Sequence, residues 1–362
     1  MLTDAGRPRR LLYAADLRAA LPGWVAGRLL TAGAWLLAVV LVDRWHHDER
    51  SAPLHLGLFA WDGSYYRAIA DHGYGGSTPD TARFHPLFPW LGGNDLGLVV
   101  LANVAALVAA ALVHRLVVEV LADRDLARRS ATLVGIAPPA FVLVWAYAEG
   151  LFLALSAVLF LALHRRWWWV VAVAGVMATL TRPTGLLLAV PVLIAVVAAG
   201  RAEGRYVARA VAVVAPVATM LGWLWWVRER VGDDEGPLRV QGDLRDGTHF
   251  PLFRLIEGFG EVLTDPLGDG LHVPFALGIV LLAWVAWRRL PLTWSSYALA
   301  AALLFLTAGN LNSIERYALG TLPLIVAAAS LVGGRWWRPA VAVSGAMLVG
   351  MTALAWYGSY VP

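Results

Sequence analysis

The 362-residue sequence contains no cysteine and no lysine, so arginine is its only strongly basic residue type. The absence of cysteine excludes disulfide bonds and thiolate metal sites. His46, His47, His72 and His85 lack the spacing of metal ligands, so no metal site is predicted. The sequence also lacks a Walker loop and a dinucleotide fingerprint, which argues against a nucleotide-driven cytosolic enzyme.

Charged residues are scarce: they make up 15% of the chain, against 59% apolar residues. Runs of about 18 to 25 apolar residues recur, each long enough to cross a hydrocarbon layer of about 30 Å. Because backbone amides in lipid must be satisfied within their own segment, these runs predict an all-α polytopic membrane protein. About eleven transmembrane helices are expected, near residues 24–42, 97–121, 131–146, 150–164, 168–181, 185–199, 208–227, 273–287, 291–308, 317–332 and 339–356.

The arginines cluster on alternate predicted loops, which the positive-inside rule assigns to the cytoplasm. These clusters explain the net charge of +4 without a nucleic-acid partner. Residues 1–22 are predicted to form a cytoplasmic tail without a signal cleavage site, and residues 23–362 a single integral membrane domain. Loops near 43–96 and 228–272 then lie on the extracytoplasmic side of the plasma membrane.

Four polar stretches fall at the predicted extracytoplasmic ends of spans. They are "WDGSYY" at 61–66, "AYAEG" at 146–150, "TRPTG" at 181–185 and "SIERYALGTLP" at 313–323. Ionisable residues near membrane depth are costly unless paired or solvated, so their convergence on one face predicts a shared polar cavity. The two prolines of "FHPLFPW" at 84–90 predict a rigid loop folded over the membrane surface.

Each charged residue of these stretches has a functional and a structural interpretation. Asp62 is suited to be a general base or sugar ligand, or simply a helix N-cap. Glu149 is also a favourable acid at a helix N-terminus. Arg182 and Arg316 can bind a phosphate bidentately, but Arg182 could instead extend to lipid headgroups, and Arg316 could pair with the adjacent Glu315.

The ordered motifs "WDGSYYRAIADHGY", "FHPLFPWL", "YAEGLFLALS", "TRPTGLLLAVP" and "ERYALGTLPLI" resemble those of PIG-V-type mannosyltransferases. These are the second mannosyltransferases of glycosylphosphatidylinositol assembly, together with their bacterial relatives. The matches extend from the first extracytoplasmic loop to the penultimate span. Two positions depart from the family pattern: Ala60 stands where arginine is usual, and Phe88 where tyrosine is common.

The resemblance implies a GT-C glycosyltransferase fold and transfer of a sugar, expected to be mannose, from a polyprenyl-phosphate donor on the extracytoplasmic side. Apart from this lipid-linked donor, no cofactor is expected. The family's acidic residue in the first external loop is catalytic, and Asp62 stands at the matching position. Arg182 and Arg316 are expected to bind the donor phosphate. Further substrate contacts are expected from motif residues Trp61, Tyr65, Tyr66, His85, Tyr147, Glu149 and Tyr317.

This interpretation predicts a single inverting displacement, with Asp62 accepting the proton of an acceptor hydroxyl on a glycolipid, glycan or protein. Two other functions use the same features. A transporter or flippase of a lipid-linked sugar would also place arginines near phosphate in a helix-lined cavity, although no inverted repeat is evident. A non-catalytic subunit of another transferase would tolerate substitution of the external carboxylates.

Overall fold

The computed structural model describes residues 10–45, 52–75, 79–200, 204–231, 242, 247–266, 268–360 and 362. Within these ranges the chain is helical, apart from turns and one isolated bridge between Thr248 and Ala308. The helices are α1 (Ala14–Trp45), α2 (Ala52–Leu56), α3 (Asp62–His72), α4 (Leu87–Gly92), α5 (Asp95–Leu121), α6 (Arg124–Ile136), α7 (Glu149–His164), α8 (Trp168–Thr181), α9 (Ala189–Ala199), α10 (Tyr206–Val231), α11 (Pro251–Thr264), α12 (Asp269–Arg289), α13 (Leu292–Leu306), α14 (Ile314–Gly320), α15 (Leu322–Leu331) and α16 (Trp337–Tyr357).

The predicted all-α polytopic membrane architecture is confirmed. Within the described ranges, five helices, α1, α5, α10, α12 and α16, are long and apolar enough to span a membrane. The pair α14–α15, bent by 93°, makes a sixth if it counts as one span. Four further apolar segments, 149–164, 168–181, 183–199 and 292–306, have only 10–17 residues each. At 1.5 Å per residue they are shorter than the roughly 30 Å hydrocarbon layer, so fewer full-length spans form than the expected eleven.

The predicted span at 131–146 is wrong. Helix α6 ends at Ile136, and Pro138 and Pro139 follow at once. Because proline has no amide hydrogen and its ring clashes with the preceding turn, the helix cannot continue. A short 3-10 turn at residues 140–143 then leads to Glu149 at the start of α7. Helix α1 begins at Ala14, inside the segment 1–22 for which a cytoplasmic tail stays a prediction; residues 1–9 lie outside the described ranges.

Side chains from α1 and α5 satisfy the irregular backbone between α6 and α7. The guanidinium of Arg28 donates to the carbonyl of Leu143 at 2.8 Å and to the side-chain oxygen of Asn103 at 3.0 Å. Asn103 donates in turn to the carbonyl of Val144 at 3.0 Å. Non-helical backbone among membrane helices needs such partners, since no water is present to replace them. This network lets the chain stop being helical directly before Glu149.

Glycines let α1 approach α6 closely. A Cβ atom built on Gly27 would overlap the carbonyl oxygen of Gly135, and one on Gly23 would lie 2.7 Å from the Cα atom of Thr132. The pair Gly23–Gly27 is thus a small-residue contact of the type that drives association of membrane helices. Close packing here fixes the position of α6, and with it the irregular segment that leads to α7.

We expect Gly27→Val to destabilise the protein by about 1–3 kcal/mol, since the larger side chain forces α1 away from α6. Gly33→Val is the matched control: it is the same substitution in the same helix, and a Cβ at Gly33 has no heavy atom within 4 Å. Unfolding of both variants in detergent micelles, followed by tryptophan fluorescence, measures the difference. Equal destabilisation by the two variants would show that the contact contributes nothing.

Candidate functional site

Asp62, Glu149, Arg182 and Arg316 meet at one end of the bundle and are called the charged cluster. Asp62 and Glu149 are the first residues of α3 and α7, Arg182 directly follows α8, and Arg316 lies in α14. Arg316 places its Nη1 atom 2.5 Å from Oδ2 of Asp62 and its Nε atom 3.5 Å from Oε1 of Glu149. Arg182 forms an ion pair with the same oxygen of Glu149. Residues from four separate motifs therefore form one site.

The charged cluster is deeply buried except at Asp62. The exposed fraction of the side chain is 2% for Glu149, 5% for Arg316, 11% for Arg182 and 21% for Asp62. Isolated buried charges are costly, but two carboxylates beside two guanidinium groups compensate each other. The Oε2 atom of Glu149 is buried and has no hydrogen-bond partner among the residues that the structure describes. Asp62 is thus the member of the cluster most accessible to a bound molecule.

The structural interpretations of three of these residues are wrong. The residue before Asp62 occupies the N-cap position of α3, and no side-chain hydrogen bond caps that helix. Arg182 does not extend to lipid headgroups, because it pairs with the buried Glu149. Arg316 pairs with Asp62 and not with its neighbour Glu315. Glu149 does open α7, so its favourable position at a helix N-terminus stands beside its ion pairs.

Tyr147 and Trp61 hold the turn that presents Asp62. The Tyr147 hydroxyl accepts a hydrogen bond from the amide of Asp62 at 3.1 Å and donates one to the carbonyl of Ala60 at 3.3 Å. Trp61 has a φ of 55°, a left-handed conformation that is uncommon for a bulky residue, and its indole donates to the carbonyl of Ala355 at 2.9 Å. The observed contacts orient the carboxylate, and the expected contact of both residues with substrate stays a prediction.

The segment from Trp356 to Tyr360, which includes the end of α16, connects the two sides of the Asp62–Arg316 pair. Trp356, near the end of α16, donates its indole hydrogen to the carbonyl of Gly57 at 2.9 Å, on the loop that leads to Asp62. Tyr360 donates its hydroxyl to Glu315, the residue before Arg316. One short segment therefore contacts both elements that present the pair.

Glu315 belongs to a second buried cluster that the sequence reasoning did not identify. His272 of α12 places its Nδ1 atom 3.0 Å from one carboxylate oxygen of Glu315, while Tyr360 binds the other. The His272 and Tyr360 rings stack with centroids 5.4 Å apart. The spacing of residues along one helix does not identify partners that lie 43 and 45 residues away in the sequence. From the sequence alone, Glu315 is therefore only an acid beside Arg316. The cluster fixes α14 against α12.

Aromatic rings line the guanidinium groups. Tyr317 lies 5.4 Å from the Arg182 guanidinium and 5.2 Å from that of Arg316, measured from the ring centroid. The ring of Tyr147 lies 5.5 Å from the Arg316 guanidinium. Cation–π contacts of this kind stabilise arginine where water is excluded. The expected association of Tyr317 with the site is thus present in the geometry.

The loop motif "FHPLFPW" packs onto α3. Phe84 stacks on Tyr65 with centroids 4.8 Å apart, and both Phe84 and Phe88 meet the edge of Tyr66 at 5.1 and 5.0 Å. Tyr66 is buried within electrostatic range of the four members of the charged cluster, whereas Tyr65 faces Phe84 and Arg83. Of these two tyrosines, Tyr66 is the one that the fold brings to the site.

His85 lies in the same loop, behind Arg182. Its Nδ1–H donates to the carbonyl of Thr179, and its ring lies 5.3 Å from the Trp223 ring. Burial lowers the pKa of His85 to about 4; the hydrogen bond to Thr179 opposes this shift, and the positive charge of Arg182 adds to it. His85 is therefore neutral at physiological pH and ties the loop to the end of α8.

No protein-family model and no curated protein matches this chain. Among solved structures, the chain is similar to the crystal structure of ArnT from Cupriavidus metallidurans bound to undecaprenyl phosphate, with 17% sequence identity and a TM-score of 0.48. The similarity covers 88% of this chain and 62% of that one. At this score and identity the likeness assigns neither a ligand nor a residue role to the present chain.

We expect Arg182→Met to destabilise the protein by about 3–5 kcal/mol, because it leaves Glu149 buried with a weaker counter-charge. Glu149→Gln combined with Arg182→Met should recover much of that loss. Equilibrium unfolding of the two single variants and the double variant in mixed micelles gives the coupling energy. A coupling energy near zero would contradict the ion pair.

Stability is expected to fall as the pH decreases from about 6.5 towards 4, since the unfolded His85 binds a proton that the buried ring does not. His85→Asn, whose amide can keep the hydrogen bond to Thr179, should weaken this pH dependence. Thermal midpoints of both proteins between pH 4 and 7 test the expectation. Parallel pH profiles would refute it.

Proposed function

We propose that the chain is a membrane glycosyltransferase of the GT-C type that transfers a sugar from a polyprenyl-phosphate donor to an acceptor hydroxyl. The observation that carries the proposal is the contact between Asp62 and Arg316, which sets a carboxylate beside an anion-binding guanidinium. These residues lie 254 positions apart and come from two of the motifs that resemble PIG-V-type mannosyltransferases. The resemblance favours mannose as the sugar and the extracytoplasmic face as the side of reaction.

The proposed reaction is a single displacement at the anomeric carbon. The acceptor oxygen forms a bond to that carbon as its proton passes to Asp62, and the bond from carbon to phosphate oxygen breaks. The lipid phosphate leaves with the electron pair, so attack from the opposite face inverts the configuration. Guanidinium groups stabilise the charge that develops on the departing phosphate.

Arg316 is suited to couple donor binding to base catalysis. It pairs with Asp62 in the present structure, and Arg182 pairs with Glu149, so the cluster is formally neutral. A donor phosphate that binds the Arg316 guanidinium competes with Asp62 for it. A carboxylate that loses a guanidinium partner becomes a better proton acceptor. Donor binding would thus prepare Asp62 to accept the proton.

The remaining residues suit supporting roles. Glu149 holds both arginines in place, and Tyr317 and Tyr66 border the charges at the site. Aromatic rings at a sugar site offer flat apolar faces with a polar tip, which suits stacking against a hexose. We propose Tyr66 and Tyr317 as sugar contacts and retain Tyr65 as a contact at the rim of the site.

Asp62→Asn should lower turnover by about 10² to 10⁴ while the protein stays folded, the usual contribution of a general base. The assay incubates purified protein in detergent with labelled polyprenyl-phosphate mannose and a membrane lipid extract, and measures labelled product. Asp71→Asn is the matched control: it removes an exposed carboxylate from the same helix, α3, and should leave turnover unchanged.

Near-normal turnover of the Asp62→Asn variant would end the assignment of the base. Failure of the wild-type protein to form any product in detergent would instead favour a flippase of the lipid-linked sugar, because a flippase needs two leaflets and makes no glycosidic bond. A non-catalytic subunit would likewise form no product when purified, but in membranes that contain its partner transferase it would tolerate substitution of Asp62 and Glu149.

A further inference from the structure

A cavity of about 580 Å³ opens at the end of the bundle opposite the charged cluster. It lies between the start of α1, the second half of α5 and the start of α6, and it contains no member of the charged cluster. Its lining includes Tyr13, Arg18, His114, Arg115, Arg124 and Arg128. The proposed glycosyl transfer makes no use of this cavity.

The cavity carries an excess of positive charge. Asp16 is the acidic residue of the lining, and its two oxygens are occupied by His114, at 2.7 Å, and by the backbone amide of Tyr13, at 2.9 Å. Within the described part of the chain, neither Arg18 nor Arg124 makes an ion pair, although both are exposed. Two guanidinium groups at the cavity are therefore available to an anion.

Arg115 adds a buried donor to this wall. Its Nη2 atom pairs with Glu119 at 2.9 Å and its guanidinium lies over the Tyr13 ring at 4.6 Å. Among the described residues, the Nε atom of Arg115 is buried and has no hydrogen-bond partner. Arg115 also lines the cavity, so its guanidinium adds to the positive charge of this wall. Several arginine donors around one cavity suit a phosphate group in particular.

An apolar track leads from the cavity along α1. Leu21, Val25 and Leu29 follow Arg18 at helical spacing on the same face, and they are 40%, 43% and 68% exposed. In a spanning helix, exposed side chains of this kind contact lipid tails. The track therefore offers a path for the acyl chain of a lipid whose headgroup lies beside Arg18. A free phosphate ion would make no use of this track.

We propose that this cavity binds the phosphate headgroup of an anionic phospholipid, with its acyl chain along the Leu21–Val25–Leu29 face of α1. The leaflet is the one opposite the charged cluster, which the positive-inside rule predicts to be cytoplasmic. Basic pockets between membrane helices on that side are suited to anionic headgroups. This inference does not depend on the proposed transferase activity.

The test is native mass spectrometry of the full-length protein in detergent, titrated with dioleoyl-phosphatidylglycerol or with dioleoyl-phosphatidylcholine. The anionic lipid should bind the wild-type protein more tightly. The double variant Arg18→Gln and Arg124→Gln should weaken its binding by about 25-fold, from about fivefold for each arginine near an anionic headgroup. The matched control, Arg288→Gln with Arg338→Gln, removes the same charge from exposed positions on α12 and α16 and should change binding less than about twofold.

Three results would overturn the proposal. Equal loss of binding in the two double variants would mean that the anionic lipid responds only to overall charge. Equal affinity for the two lipids would mean that the cavity does not distinguish an anionic headgroup from a zwitterionic one. Displacement of phosphatidylglycerol by equimolar inorganic phosphate, at constant ionic strength, would assign the cavity to a free phosphate and not to a lipid.

Discussion

The mutual neutralisation of four charges, three of them buried, is the constraint on which the Asp62 end of the bundle depends. Glu149, Arg182 and Arg316 are almost fully withdrawn from water, and each would be costly alone. Their charges balance only if the ends of α7, α8 and α14 meet the start of α3 within a few ångströms. The positions of these helix ends are therefore linked, and displacement of one leaves a buried charge without its partner.

Irregular backbone makes that meeting possible. Continuous helices of full membrane length would carry their ends past one another, but prolines stop α6 and bend α14 against α15. The polar groups freed by these breaks find partners inside the protein, as Arg28 and Asn103 show for the segment before α7. The same breaks bring the charged cluster together with its charges balanced, and Asp62 is its most exposed member. This exposure suits a carboxylate that must contact a substrate.

The members of the charged cluster can be predicted from the sequence, because charged residues are rare in an apolar chain and their positions stand out. For Tyr147 and Trp61 the sequence predicts substrate contacts, which stay a prediction, and it does not reveal that their polar atoms bind the backbone around Asp62 and at the end of α16. It did not identify the His272–Glu315–Tyr360 cluster, because nothing in local spacing pairs a histidine of one span with a tyrosine near the C-terminus.

The sequence by itself determined the class of protein. Its long apolar runs lie in lipid, where a helix satisfies the hydrogen bonds of the backbone within one segment. It also determined which residues carry charge at the span ends. Only the tertiary structure decided that Arg316 pairs with Asp62 across the bundle and not with the adjacent Glu315. The reason is physical: adjacent residues in a helix point in different directions, so the partner of a buried charge is chosen by the helix that packs against it.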